Sequence, residues 1–308
     1  MPSSAKSIFI SGAAKGIGRA TAELFHARGW RVGLFDIDGD AVQATAAEIL
    51  RRGSGSAELV SGVLDVRSAE QWRSALSDFT GSVKASGTVT AGGTVTAGST
   101  VTAGSTATAG STATAGGTAT AGGTRGRLDV LMNNAGVLAS GPFIEMDEAT
   151  HRRIVDINVT GVINGSNEGY PYLVASRGLL LNMCSASSLF GQPTIATYAA
   201  SKAAVKSLTE ALDLEWEASG VKVRSLIPMF VATDMVHVDG DRMHGTQKFG
   251  VRLSAEDVAA AAWKTVHERA WPLRAPHRTV GRQTQLMAAA SAVSPDWVTR
   301  QVVRRVSK

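Results

Sequence analysis

Residues 6–29 read KSIFISGAAKGIGRATAELFHARG, and three different local patterns follow one another without a gap. Lys6–Ser11 is a short apolar run of strand length. Gly12 to Gly18 then sets three glycines among small residues, as GxxxGxG, and RATAELFHARG continues with helical character. Strand, glycine-rich turn and helix in that order form a phosphate cradle. The glycines allow a tight turn and a close approach of backbone to pyrophosphate, while the helix N-terminus faces the anion. The spacing differs from the more widespread GxGxxG, so on these residues alone a chance glycine turn stays open.

The chain beyond repeats the alternation. Arg31–Asp36 (RVGLFD) reads as a second strand, 40–52 as a helix, 57–64 as a strand running into Asp65 and Val66, and 68–79 as a helix. Strands alternating with helices predict a parallel sheet covered on both faces: a three-layer, doubly wound Rossmann-type α/β domain. Asp36 lies 18 residues past Gly18, where an acid bonds the adenosine ribose hydroxyls. A carboxylate there repels a 2′-phosphate and favours NAD over NADP; Lys15, in the glycine loop, favours the phosphate. Asp36 is also readable as a solvated turn acid beside Asp38 and Asp40.

At Thr88 the alternation stops for six hexapeptides, from TVTAGG to TATAGG, ending at Gly123. Valines at 89, 95 and 101 give way to alanines, and glycine makes ordering costly. The 84–126 insert is therefore read as a low-complexity, disordered or weakly ordered loop joining a helix to the next strand, with a small Thr-rich β-structure as the alternative. It falls at the sheet edge opposite the one where ligands bind. The sheet resumes at LDVLM (128–132), followed by Asn133, Asn134, Ala135 and Gly136. A helix is expected over 148–165, a strand over 179–184, a helix over 197–220 and a strand over 221–227. Ser254 and Asp257 then open a helix to about 268 with a capping box.

The run NMCSASSLFGQPTIATYAASK (182–202) carries the chemistry. Tyr198 and Lys202 are at i and i+4 and share a helix face. A fixed ammonium beside a phenol lowers its pKa and makes it a usable acid and base. A surface Tyr–Lys pair fits the same spacing. Cys184 reads as a buried strand-end thiol, since no histidine lies near it in sequence.

Composition excludes several classes. A hydrophobic fraction of 44% with 19% charged residues fits a globular chain. No apolar run reaches the ~20 residues of a membrane span, and the N-terminus lacks the apolar core of a secretory signal. One cysteine excludes an internal disulfide and fits a reducing, cytoplasmic setting. Histidine spacing offers no metal site. The net charge of +5 resides in residues 269–308, where eight basic residues face Asp296 alone. The main domain thus gives no ground for nucleic-acid binding. This basic C-terminal extension ends in SPDWVTRQVVRRVSK, readable as an amphipathic helix resting on its own domain, on a partner subunit or peripherally on an anionic membrane.

Taken together, SGAAKGIG, the Asp65 strand end, NNAG, Asn158, Ser185 and YAASK resemble the short-chain dehydrogenase/reductase family in order and spacing over roughly residues 6–268. The resemblance implies an NAD- or NADP-dependent enzyme acting on a small-molecule alcohol or carbonyl substrate. NADPH-linked carbonyl reduction and non-catalytic dinucleotide binding are the alternative readings. It implies Tyr198 as general acid/base, Lys202 lowering its pKa, Ser185 (rather than Ser187 or Ser188) bonding the substrate oxygen, and Asn158 holding a water through a backbone distortion. It places Gly12, Gly16, Ile17 and Gly18 at the pyrophosphate, Asp65 and Val66 at the adenine, and Asn134, with Ala135 and Gly136, at the adenosine ribose. Pro228, Val231 and Thr233 fall along the nicotinamide. A homodimer or homotetramer through 148–165 and 197–220 is the family expectation. Met229 departs from the pattern, which has glycine there. The substrate is expected between 185–193 and 229–250, where His237 and His244 read as solvated.

Overall fold

The computed structural model describes residues 5–53, 57–81, 126–232, 253–268 and 275–306. The 84–126 insert apart from Gly126, Thr233, His237 and His244 lie outside them. Alternating glycine turns and helices deliver β1 (Ser7–Ser11), α1 (Gly16–Ala27), β2 (Arg31–Asp36), α2 (Gly39–Arg51), β3 (Leu59–Val63) and α3 (Ala69–Gly81). After the insert come β4 (Val130–Asn133), α4 (Glu148–Val155), α5 (Gly161–Val174), β5 (Leu179–Met183), α6 (Ala196–Glu215), β6 (Lys222–Pro228) and α7 (Ala255–Val266). β7 (His277–Val280), α8 (Arg282–Val293) and α9 (Asp296–Val306) complete the described chain. All strands run parallel in the order β3-β2-β1-β4-β5-β6-β7. The order reverses between β1 and β4, and ligands in such sheets bind beyond the strand ends at that crevice.

The period of two along β1 distributes its side chains between two cores. Ile8 and Ile10 point to one face with Val32, Leu34, Phe25, Trp30 and Val258, under α1, α2 and α7. Phe9 points to the other, where Phe35 stacks on it at 4.3 Å and Trp72 and Phe79 close round it. Both faces are therefore dry, as a parallel sheet requires. Truncating a fully buried ring such as Phe9 costs about 3–5 kcal/mol.

Helix starts follow their caps. Asp38 accepts from Ala41 N at 3.0 Å and Asp147 from Thr150 N at 2.7 Å. Ser254 and Asp257 form the expected capping box. The helix expected over 148–165 is different. It runs on through α5 to Val174, past Pro171, and a π-helical turn at Asp156–Thr160 divides it. Gly165 and Gly169 do not end it, because they are its contact face. A Cβ at Gly165 would lie 2.2 Å from Asn133 Oδ1, and one at Gly169 2.2 Å from Leu131. Tertiary packing overrides local propensity here. Likewise α6 stops at Glu215, and a short 3-10 turn leads to Gly220 in the left-handed region at φ 75°.

β7 lies within the stretch read as a basic extension, yet it is the sheet's last strand. His277 fastens it: Ser225 Oγ sits 2.8 Å from its Nδ1, and Glu210 Oε1 2.7 Å from its Nε2.

Candidate active site

At the crevice, the glycine turn and the β4 end are built as one piece. Gly12 has φ 67°, and a Cβ there would lie 2.7 Å from Ala135 Cα. A Cβ on Gly18 would lie 2.2 Å from Gly12 O. Asn134 Nδ2 donates to Ser11 O at 3.0 Å and Gly12 O at 2.8 Å. Its amide nitrogen, expected on a ribose, thus braces the turn itself. No side chain caps the first turn of α1, so its open N–H groups are a ready anion site. Asp36, ending β2, accepts from Ala14 N at 3.0 Å and Asp38 N at 3.2 Å. These bonds fix the carboxylate beside the turn. Asp65 is held by Arg67 at 2.6 Å, and that hydrogen-bonded pairing keeps its carboxyl below the usual range.

The remaining candidates converge from four elements. Asn158 sits in the π turn, fully buried. Its Oδ1 accepts from Val137 N at 2.8 Å; its Nδ2 donates to Val137 O at 2.9 Å and Ser201 Oγ at 3.0 Å. It therefore ties the segment after β4 to α6. Gly136 makes room for this: a Cβ there would come within 3.2 Å of Asn158 Oδ1 and 3.4 Å of Lys202 Nζ. Ser185 follows β5 in extended conformation, and its hydroxyl accepts from Ser187 N at 3.2 Å. Tyr198 and Lys202 share the buried face of α6.

One electrostatic expectation is reversed. Tyr198 is pushed up to about 12, chiefly by burial, with the nearby Ser185 side chain opposing. Lys202 does not offset this. Its Nζ donates to Met183 O at 3.0 Å and lies 5.7 Å from the Tyr198 ring centroid. Burial lowers the lysine's own pKa. In the protein alone, desolvation outweighs the pairing that sequence spacing suggests. Burial likewise raises the Cys184 thiol, whose Sγ lies 3.2 Å from Lys202 O. It is the inert strand-end thiol expected.

A cavity of about 1100 Å³ joins these groups. At one end it meets Gly12, Lys15, Gly16, Ile17, Asp36, Asp65 and Val66; beyond Asn134, Ala135 and Gly136 it reaches Ser185, Tyr198, Lys202, Pro228 and Val231. Gly18 is not on the wall; it is the close-packing glycine. Asn158 is likewise behind the wall. Met229, the departure from the family pattern, lines the cavity and packs with Cys184, Ala186, Ile227 and Met287.

Two wall components escaped sequence reasoning. Ser187 Oγ is buried without a hydrogen-bond partner. A neighbouring serine gave no signal to tell it from Ser188, whose hydroxyl is spent on Ser185 O at 2.6 Å. α8 and α9 also line the cavity, through Leu286, Met287, Val298 and Val302 among others. The apolar spacing of 297–306 left three destinations open, and the one found is the chain's own domain, at the cavity wall.

Residues 95–243 match the family described as short chain dehydrogenase, and residues 12–89 the family described as Enoyl-(Acyl carrier protein) reductase. A meso-2,3-butanediol dehydrogenase of Serratia marcescens is 36% identical over 44% of this chain and 55% of its own length. A sorbitol dehydrogenase of Cereibacter sphaeroides is 28% identical over 76% of this chain and 73% of its own. The chain thus spans little more than half of the Serratia relative. A gluconate 5-dehydrogenase from Burkholderia cenocepacia, in complex with NADP and tartrate, shares the fold with a TM-score of 0.68 at 20% identity, covering 91% of this chain and 95% of that one. A 3-oxoacyl-[acyl-carrier protein] reductase with bound NAD from Brucella melitensis has a TM-score of 0.65 at 24% identity, covering 89% and 88%. Sequence and fold point the same way: the chain belongs to the short-chain dehydrogenase/reductase family.

Proposed function

We propose that the protein is a nicotinamide-dependent oxidoreductase interconverting a secondary alcohol and a ketone, with NAD(H) preferred. The observation that carries this is one continuous cavity. A glycine turn and an acid-ended strand lie at one end, and Ser185 with the buried Tyr198 and Lys202 at the other.

The residues fit a dinucleotide. Side chains are excluded where pyrophosphate would approach Gly12, and the uncapped turn of α1 offers N–H donors. Gly16, Ile17, Asp65, Val66, Asn134, Ala135, Pro228 and Val231 would line it. When bound, the nicotinamide supplies or accepts the hydride at the substrate carbon. Tyr198 Oη moves the proton at the substrate oxygen. Ser185 orients that oxygen, and Lys202 holds positive charge near the phenol. Asn158 positions the loop carrying Gly136 and Val137. Thr233 lies beyond the described residues.

The preference for NAD rests on Asp36, whose carboxylate is fixed by two backbone N–H groups and would repel a 2′-phosphate. Among the relatives, one solved structure holds NADP and another NAD, so the family fold accepts both. A second copy would pack through α4, α5 and α6, where Val155, Ile163 and Leu214 are exposed.

Tyr198→Phe is expected to lower kcat by at least about a thousandfold, as loss of a general acid/base does, while the Kd for NADH changes less than threefold. Equal turnover by the variant would sink the assignment. Titration with NADH and NADPH is expected to favour NADH at least tenfold, and Asp36→Ala to narrow that ratio.

A further inference from the structure

We infer that the substrate is a bulky, predominantly apolar secondary alcohol or ketone, seated under the C-terminal helices α8 and α9. This rests on the oxidoreductase reading above and adds the substrate class.

The wall is sorted by charge. Lys15, Asp36, Asp38, Asp65 and Arg67 line the cavity where the β1, β2 and β3 ends contribute to it. Beside the reacting hydroxyls, the segments 183–198 and 228–231 supply Met183, Ala186, Phe190, Ile195, Met229 and Phe230 together with the uncharged polar Ser187, Gln192 and Thr194, and among the described residues no charged side chain apart from Lys202 on α6 follows them into the cavity. Arg153 on α4 is the remaining charged residue of the lining among the described residues. A polyol or a sugar acid needs hydrogen-bonding partners for each oxygen it buries. Among the described residues this end sets uncharged hydroxyls and amides within an apolar wall.

α9 makes the point most clearly. It carries Arg300, Arg304 and Arg305, yet none of them lines the cavity. Val298, Thr299, Val302 and Val303 do, at i, i+1, i+4 and i+5, which is one helix face. α8 contributes Leu286, Met287 and Ala290 in the same spacing, flanked by Gln283 and Ser291. Leu286 is 73% exposed and Val302 53% exposed, although both border the cavity. Apolar groups left wet around an existing hollow gain by being covered, and the gain grows with each methylene a ligand adds. Met229 extends the same surface to α8 through Met287. The side chain that departs from the family pattern thereby joins the strand end to the helical roof.

The test is a homologous series from 2-butanol to 2-decanol, with sorbitol and 2,3-butanediol alongside, each assayed with NAD by the absorbance of the reduced cofactor. We expect kcat/KM to rise about three- to fourfold per added methylene until the roof is filled. Both polyols should fall below 2-hexanol. Leu286→Asp and Val302→Asp should each cut the 2-decanol to 2-butanol ratio of kcat/KM at least tenfold. A flat or falling series, or a polyol as the best substrate, overturns the inference even if turnover is brisk. Absence of turnover on every alcohol, and on the matching ketones with NADH, instead overturns the oxidoreductase reading. In that event calorimetric titration of 2-decanone and 2-butanone into the protein with NADH decides the inference by itself. Tighter 2-decanone binding, weakened by Leu286→Asp, sustains it; equal affinities end it.

Discussion

In the proposed mechanism Tyr198 presents the main chemical problem: a phenol pushed up to about 12 by burial would act near neutral pH. The sign of its effect depends on direction. Alcohol oxidation uses the phenolate, whose fraction below the pKa grows tenfold per pH unit. Carbonyl reduction uses the phenol, which is fully present throughout. We therefore expect kcat/KM for oxidation to climb with unit slope and no plateau below pH 9, and kcat/KM for reduction to stay flat there. A pH profile in both directions checks it, and a plateau in oxidation near neutrality would show that bound cofactor overrides desolvation. Ser187 makes a second case. Its orphaned hydroxyl costs about 1–3 kcal/mol unless a ligand satisfies it. Ser187→Ala is expected to raise the stability of the ligand-free protein by about 1 kcal/mol, and to raise KM, as seen in thermal melts and steady-state kinetics. Spacing alone shows which serine neighbours the tyrosine; it says nothing of which hydroxyl is left unsatisfied, because that depends on turn geometry.

Among the elements, the divided helix from Glu148 to Val174 is the least predictable and the most consequential. Asn158 reaches Val137 and Ser201 only because the π turn re-aims its face. Asn158→Ala would strand the Val137 N–H and C=O, at a cost of about 2–3 kcal/mol, together with a large loss of kcat. Asn158→Asp keeps one acceptor and should recover part of the stability. Thermal unfolding of both variants reads this out. The strands and capped helices were legible, because period-two apolar runs and Ser/Asp caps are local signals. The π turn, the helix continuing past Gly165, and β7 were not. Each is decided by contacts with Trp72, Leu131, Ser225 or Glu210, far away in sequence.

For the molecule as a whole, the sheet reverses order between β1 and β4, so the cavity is closed by both halves of the chain and then roofed by its last helices. A ligand spanning it should stabilise everything at once. NADH at a hundred times its Kd adds about 2.7 kcal/mol to unfolding, and a single cooperative melt should move upward without splitting. The family's motif order carried the fold and picked out the proposed quartet of Asn158, Ser185, Tyr198 and Lys202. The tail's charge misdirected the reading toward an extension, since eight basic residues mask a strand and a wall whose apolar side faces inward.

The thiol of Cys184 offers a use that its chemistry does not suggest. It is the chain's one cysteine, 2% exposed at the cavity wall and lying against Lys202 O. A sluggish, shielded sulfur is a built-in clock for breathing of the catalytic floor. Its labelling by a small disulfide reagent should proceed only as fast as the strand end lifts away from α6. Saturating NADH should slow that clock, and Met229→Gly, which opens the packing beside it, should speed it up, so that motion at the site can be timed without a substrate.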